Sequence, residues 1–298
     1  MKQTRRAFLL STLPAAASAC FAQGVVPHKI AALPRGKRSG LPYGAHFVEV
    51  AGKAGIGYPV LYGSPIPKNY ILESIGCGCA FLDYDNDGWI DILVLGGNSF
   101  SKPDAGITNL LFLNNRDGTF REEGGVRGVA YSDDGQEQAG MGLAVGDTGG
   151  SGHLDIFKTN FAGDLPVLYR NLGKGIFEDA TRESGLAVDN RYVCWGAGLE
   201  DFDNDGWPDI PVATGHIYPE LESRYPDSPY KSPLLLYRNL GHGRFGELYD
   251  EAGTAILEPH SIVGVRQICT WASMKTLQWF FFLNGFITIG SKHYILFN

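Results

Sequence analysis

The sequence predicts an all-β fold, a β-propeller of repeated four-stranded blades that is incomplete, with about three blades plus part of another. Three observations predict it. The chain of 298 residues is 44% hydrophobic yet carries 40 glycines and 16 prolines, which suits strands and turns around a packed core and excludes a disordered chain. Two sequence signatures alternate along it three times. The segments around them are apolar or alternating over strand lengths.

The first signature is "GCGCAFLDYDNDGWIDILVLGG" from residue 76, "GMGLAVGDTGGSGHLDIFKTN" from 140 and "GAGLEDFDNDGWPDIPVATG" from 196. Each gives a strand, an aspartate-bearing loop and a second strand. The second signature is "LLFLNNRDGTF" ending at Phe120, "VLYRNLGKGIF" ending at Phe177 and "LLYRNLGHGRF" ending at Phe245. It gives a third strand stopped by an asparagine and a glycine turn. A short tail follows each phenylalanine, "REEGGVRGVA", "EDATRESGLA" or "GELYDEAGTA", and supplies a fourth strand. Four short strands repeated in this way suggest radial repetition of sheets. A β-solenoid is the alternative, although its repeats are usually shorter and more uniform. The segment "FVEVAGKAGI" at 47–56 resembles the tails without an earlier partner and reads as the last strand of another unit.

The ends of the chain differ from its middle. Residues 1–22 read as an export signal: Arg5 and Arg6 precede the apolar "AFLLSTLPAAASA" and the small residues of "SACFAQ". The paired arginines resemble a twin-arginine signal, with an ordinary secretory signal as the alternative. Residues 23–44 read as a linker, and 45–260 as the repeat region. Residues 261–298 are atypical. From 262 onward they hold no acidic residue, although the chain has 32, and an interrupted reading frame is the favoured explanation. Their apolar stretch is too short for a transmembrane span. The expectation is therefore a fragment, whose open arc would leave strand edges exposed.

The formal charge of −7 argues against a nucleic-acid partner, which needs a basic face. Of five cysteines, Cys20 falls in the signal. Cys77 and Cys79 are two apart and on one strand face, about 7 Å from each other. Buried thiols are expected, with a bridge from either to Cys194 as the other possibility.

These residues resemble FG-GAP/VCBS repeats, and the alternation of the aspartate loops with "LYRNLGxGxF" resembles the ASPIC/UnbV proteins and the related cartilage acidic protein. The likeness covers roughly residues 45–260. It implies an exported bacterial repeat propeller, periplasmic, extracellular (secreted) or at the cell surface, that binds calcium, and no particular reaction.

Calcium takes six to eight oxygen ligands, which alternating carboxylates in a tight loop can offer. In the first loop Asp83, Asp85 and Asp87, the Trp89 carbonyl and Asp91 are the candidates. Asp201, Asp203, Asp205, the Trp207 carbonyl and Asp209 repeat them in the third. Gly88 and Gly206 allow the sharp turn, and Asn86 can brace it. In the middle loop Asp147, Ser151 and Asp155 remain, while Gly149 removes a carboxylate, so binding there is expected to be weaker or absent. An EF-hand is excluded, because its twelfth position needs glutamate and Val94 and Val212 stand there. An Asx-rich turn without metal competes with the calcium reading.

No zinc spacing, P-loop or nucleophile elbow occurs, and no catalytic residue is assigned. The insertion 215–233, with His216, Tyr218, Glu220, Glu222 and Tyr225, is the best candidate for a binding loop, although a solvated loop is the favoured reading of it. The insertion 98–109 offers no more. A calcium-stabilised, non-catalytic module for a protein or glycan ligand is the leading expectation, and a propeller-type polysaccharide lyase or hydrolase is the alternative.

Overall fold

The computed structural model describes residues 40, 44, 46–58, 60, 77–97, 108–224, 230–248, 286–289 and 292–295. The signal 1–22, the linker 23–39 and most of the tail lie outside them. Two compact units divide the chain, Met1–Val48 and Glu49–Asn298. The described residues of the first form no helix or strand.

The second unit holds three four-stranded antiparallel sheets, each with its strands in chain order. The first comprises β1 (Cys79–Leu82), β2 (Asp91–Val94), β3 (Leu110–Asn114) and β4 (Phe120–Glu122). The second comprises β5 (Gly140–Gly146), β6 (Asp155–Asn160), β7 (Val167–Asn171) and β8 (Phe177–Asp179). The third comprises β9 (Cys194–Ala197), β10 (Ile210–Thr214), β11 (Leu235–Asn239) and β12 (Phe245–Glu247). A separate antiparallel pair, β13 (Phe286–Ile289) and β14 (Lys292–Ile295), lies in the atypical tail.

Strand alternation places two cores on opposite faces of the second sheet. Ile156 and Tyr169 join Leu82, Tyr84, Leu93 and Leu111 of the first sheet. The adjacent residues Phe157 and Leu168 join Ile210, Val212 and Tyr237 of the third. Period-2 geometry sends neighbours to opposite faces, so a sheet buried on both sides must satisfy its polar residues internally: Asp155, Lys158, Thr159 and Asn160 of β6 are each hydrogen-bonded. Every residue of β6 is buried.

The tails interlock consecutive units. Gly55, Gly128 and Gly185 share φ near +80° to +87°, and a Cβ at each would strike the carbonyl oxygen of Phe120, Phe177 and Phe245 respectively. Phe120 N–H donates to the Ala54 carbonyl at 2.8 Å, and Phe245 N–H to that of Ser184 at 2.7 Å. The segment 47–56 thus contacts the first sheet as the later tails contact theirs. It differs from the expected strand: residues 51–55 form a turn, and no described partner pairs with 47–50. A strand without a ladder leaves its backbone groups to water. After β4, the tail opens with a one-turn helix, α1 (Gly124–Arg127).

Cys77, Cys79 and Cys194 are free thiols, so the bridge to Cys194 is not formed. Burial pushes the Cys77 and Cys194 thiols up to about 12, leaving them protonated and inert.

Candidate metal centre

Each aspartate loop joins the first two strands of its sheet, and its first aspartate organises the turn. Asp83 accepts hydrogen bonds from Asp87 N at 2.9 Å and Gly88 N at 2.8 Å. Asp147 does the same for Ser151 N (2.9 Å) and Gly152 N (2.7 Å), and Asp201 for Asp205 N (3.0 Å) and Gly206 N (3.1 Å). Two residues in each loop need positive φ: Asn86 (59°) and Gly88 (87°), Gly150 (70°) and Gly152 (81°), Asn204 (60°) and Gly206 (95°). Asparagine tolerates that region better than other side chains, and glycine enters it without strain. The spacing of asparagine and glycine is therefore dictated by the turn itself.

The last aspartate of each loop braces the sheet. Asp91 is fully buried and accepts from Tyr84 N at 3.3 Å and Asn114 N at 2.8 Å. Asp155 accepts from Thr148 N and Asn171 N, and Asp209 from Phe202 N and Asn239 N. The partner asparagine ends the third strand of each sheet and ties the loop to it. Sequence reading took that asparagine only as a turn marker. Its recurrence at a fixed place in each repeat was the available signal.

The carboxylates converge in two of the three loops. Side-chain oxygens of Asp83, Asp85 and Asp91 lie within 4.8 Å of one another, as do those of Asp201, Asp203 and Asp205. Among the described residues, Asp147 and Asp155 belong to no such group. Gly149 stands in the place of Asp85 and Asp203, and Ser151 turns its hydroxyl toward Asp147 at 3.4 Å.

Two arginines missed from the sequence shape these clusters. Arg116 bonds Asp87 at 2.6 Å and holds its carboxyl below the ordinary range, outside the Asp83–Asp85–Asp91 group. Arg238 bonds Asp203 at 2.6 Å and approaches Asp205 at 3.4 Å. Asp209 stands outside the Asp201–Asp203–Asp205 group. Trp89 and Trp207 each donate their N–H to the third carboxylate of their loop, Asp87 and Asp205, at 2.8 and 2.9 Å.

The first cluster is short of positive charge. Burial first, then the neighbouring charges of Asp87 and Asp83, push the Asp85 carboxyl up. Its Oδ1 is buried and accepts no hydrogen bond. Burial carries Asp91 up to about 7. Crowded, desolvated carboxylates raise one another's pKa unless a cation compensates. An undonated buried carboxylate oxygen costs roughly 1–3 kcal/mol. A hard divalent cation meets both needs, so this donor set fits calcium.

A family model described as "FG-GAP-like repeat" matches residues 83–158 and 150–212. The chain carries FG-GAP-like repeats. The matches take in the first loop, the second and the third, together with β2, β6 and β10. No curated protein matches the chain. Among solved structures, an Agrocybe aegerita lectin that recognises non-reducing terminal N-acetylglucosamine is similar at 21% identity and a TM-score of 0.33. That likeness covers 61% of this chain and 41% of the lectin chain.

Within the insertion 215–233, Pro219, Glu220, Ser223 and Arg224 are exposed, whereas its histidine is not. His216 is buried, stacks near Phe161 and Tyr218 and accepts the Tyr218 N–H at 3.1 Å. Burial lowers its pKa, so it serves packing as a neutral ring. Tyr225 lies outside the described residues, as does most of the insertion 98–109.

Proposed function

We propose that this chain is a calcium-stabilised, propeller-type binding module, exported from a bacterial cell and without catalytic activity of its own, whose ligand is a protein or a glycan. The observation that carries the calcium reading is the buried, undonated Oδ1 of Asp85 beside Asp83 and Asp91. In the first loop these three side chains hold the ion, with the Trp89 carbonyl completing the set. Asp87 joins them only if it leaves Arg116. In the third loop Asp201, Asp203 and Asp205 are the ligands, the Trp207 carbonyl adds to them, and Asp209 keeps its bracing role. The middle loop, through Asp147, Ser151 and Asp155, binds weakly or not at all.

The bound ion supplies positive charge where carboxylates crowd. Its role is structural: it neutralises the cluster and pins the turn between two strands. Binding to the folded state alone raises stability by mass action. The arrangement of three like sheets, with FG-GAP-like repeats spanning them, supports a propeller-type scaffold that presents loops to a partner. Among the described residues no helix is long and apolar enough to cross a membrane.

Thermal melting in chelator and in excess calcium tests the reading. At free calcium about 100 times Kd, a gain of about 2.7 kcal/mol is expected, and Asp85→Ala removes most of it. Identical melting of the native chain in both buffers overturns the calcium assignment.

A further inference from the structure

Among the described residues the contact between consecutive sheets occurs twice, and each half of it occurs once more without a partner. One half is the second residue of the aspartate loop. Tyr84 is fully buried, and Thr148 is 1% exposed. The other half is the hairpin after the third strand. Asn171 Nδ2 donates to the Tyr84 carbonyl at 2.7 Å, and Asn239 Nδ2 donates to the Thr148 carbonyl at 2.9 Å. A Cβ at Gly175 would strike the Tyr84 ring, and one at Gly243 would press on the Thr148 hydroxyl. A glycine is required there because the hairpin lies directly on the neighbour's loop. We call the loop side the socket and the hairpin side the plug.

At the end of the third sheet no described residue seats on the socket. Phe202, the counterpart of Tyr84 and Thr148, is 55% exposed. At the start of the first sheet the hairpin meets no socket among the described residues, although Phe120 N–H still donates to the Ala54 carbonyl. Gly118 is exposed and Asn114 and Phe120 are half-buried, where Asn171, Gly175 and Phe177, and likewise Asn239, Gly243 and Phe245, are buried. A Cβ at Gly118 would meet nothing within 4 Å. Among the described residues Asn114 Nδ2 donates only to the Ile90 carbonyl of its own loop, whereas Nδ2 of Asn171 and of Asn239 each reaches both its own loop and the neighbour's.

We propose that the Phe202 socket receives the Asn114–Phe120 hairpin of a second copy of this chain, giving head-to-tail self-association. The observation that selects this occupant is continuity: one chain carries both unmatched halves of an interface that it already forms twice. The aromatic ring of Phe202 would be covered as Tyr84 is, and its carbonyl would accept from Asn114 of the other copy. Because the two halves are different surfaces, the contact is heterologous and can close into a ring or run on. The proposal rests on packing between sheets and does not need calcium.

Light scattering on the full chain across a concentration series is the test. The native chain is expected to exceed its 32.4 kDa monomer mass as concentration rises. Phe202→Ser, which adds no charge between Asp201 and Asp203, is expected to return it to monomer with its melting temperature in chelator unchanged, since the ring is exposed in the single chain. Leu240→Asp, at another exposed apolar residue (66% exposed), is expected to leave association intact. A chain that stays monomeric at every concentration overturns the proposal. So does association that survives Phe202→Ser, or that Leu240→Asp abolishes equally.

Discussion

The loops 83–91 and 201–209 have almost the same sequence and different surroundings. Asp83, Asp85 and Asp87 are half-buried, while Asp201, Asp203 and Asp205 are exposed. The cause lies outside both loops. Gly175 and Phe177 of the second sheet pack against Tyr84, and Asn86 donates to the Gly152 carbonyl at 3.0 Å. No described residue covers Phe202 in that way. A motif therefore fixes the turn, and the next repeat fixes the electrostatics. The same aspartates are desolvated in one place and hydrated in the other.

The largest expected effect separates bracing from metal binding. In calcium-free buffer Asp91→Ala and Asp209→Ala each strand two backbone N–H groups, so each is expected to cost about 2–4 kcal/mol by chemical denaturation. Calcium should then restore stability differently. Asp209→Ala keeps the calcium gain, because Asp209 stands apart from its carboxylate group. Asp91→Ala loses most of it. Equal calcium gains in the two variants would place the dominant ion elsewhere than the first loop.

A smaller effect compares ligands of equal rank. Asp85→Asn is expected to weaken the tighter calcium site at least tenfold by titration calorimetry, about 1.4 kcal/mol. Asp203→Asn should weaken binding only a few-fold, since Asp203 is exposed and already bonded to Arg238. Exposed charge pairs contribute little. If the two variants lose affinity equally, burial is not what distinguishes the loops.

Much of this was legible in the sequence. The three strand–loop–strand units, the asparagine–glycine hairpins and the fourth strands after Phe120, Phe177 and Phe245 stand where the repeat signatures put them, because strand alternation and turn chemistry are local. The convergence of Asp83 with Asp85 follows from spacing of the same kind. What the sequence hid is non-local. Arg116 is 29 residues from Asp87 and is brought there by the pairing of β2 with β3. Asn171 is 87 residues from the Tyr84 carbonyl it meets. His216 looked like a binding group because nothing in its neighbours in sequence reveals that Phe161 lies against it.

The second sheet extends the comparison to the core. Val94 in β2 and Val212 in β10 correspond to Lys158 in β6. Lys158 is buried, donates to Gln138 at 2.8 Å and sits 5.9 Å from the Tyr169 ring centroid. Burial pulls its pKa down to about 8, against the raising effect of Asp164 and Asp179. The folded chain therefore binds fewer protons than the unfolded chain between about pH 8 and the ordinary lysine value near 10.4. Stability must rise with pH across that window, and the Lys158 contribution is lost below it. Denaturation at several pH values should show a rise of about 3 kcal/mol. Lys158→Met, which restores an apolar side chain of similar length, should flatten the slope and leave the variant at least as stable as the native chain at neutral pH. A slope retained in that variant would mean that another group titrates there. It would also mean that the lysine is accommodated in a sheet buried on both faces without a pH-dependent cost.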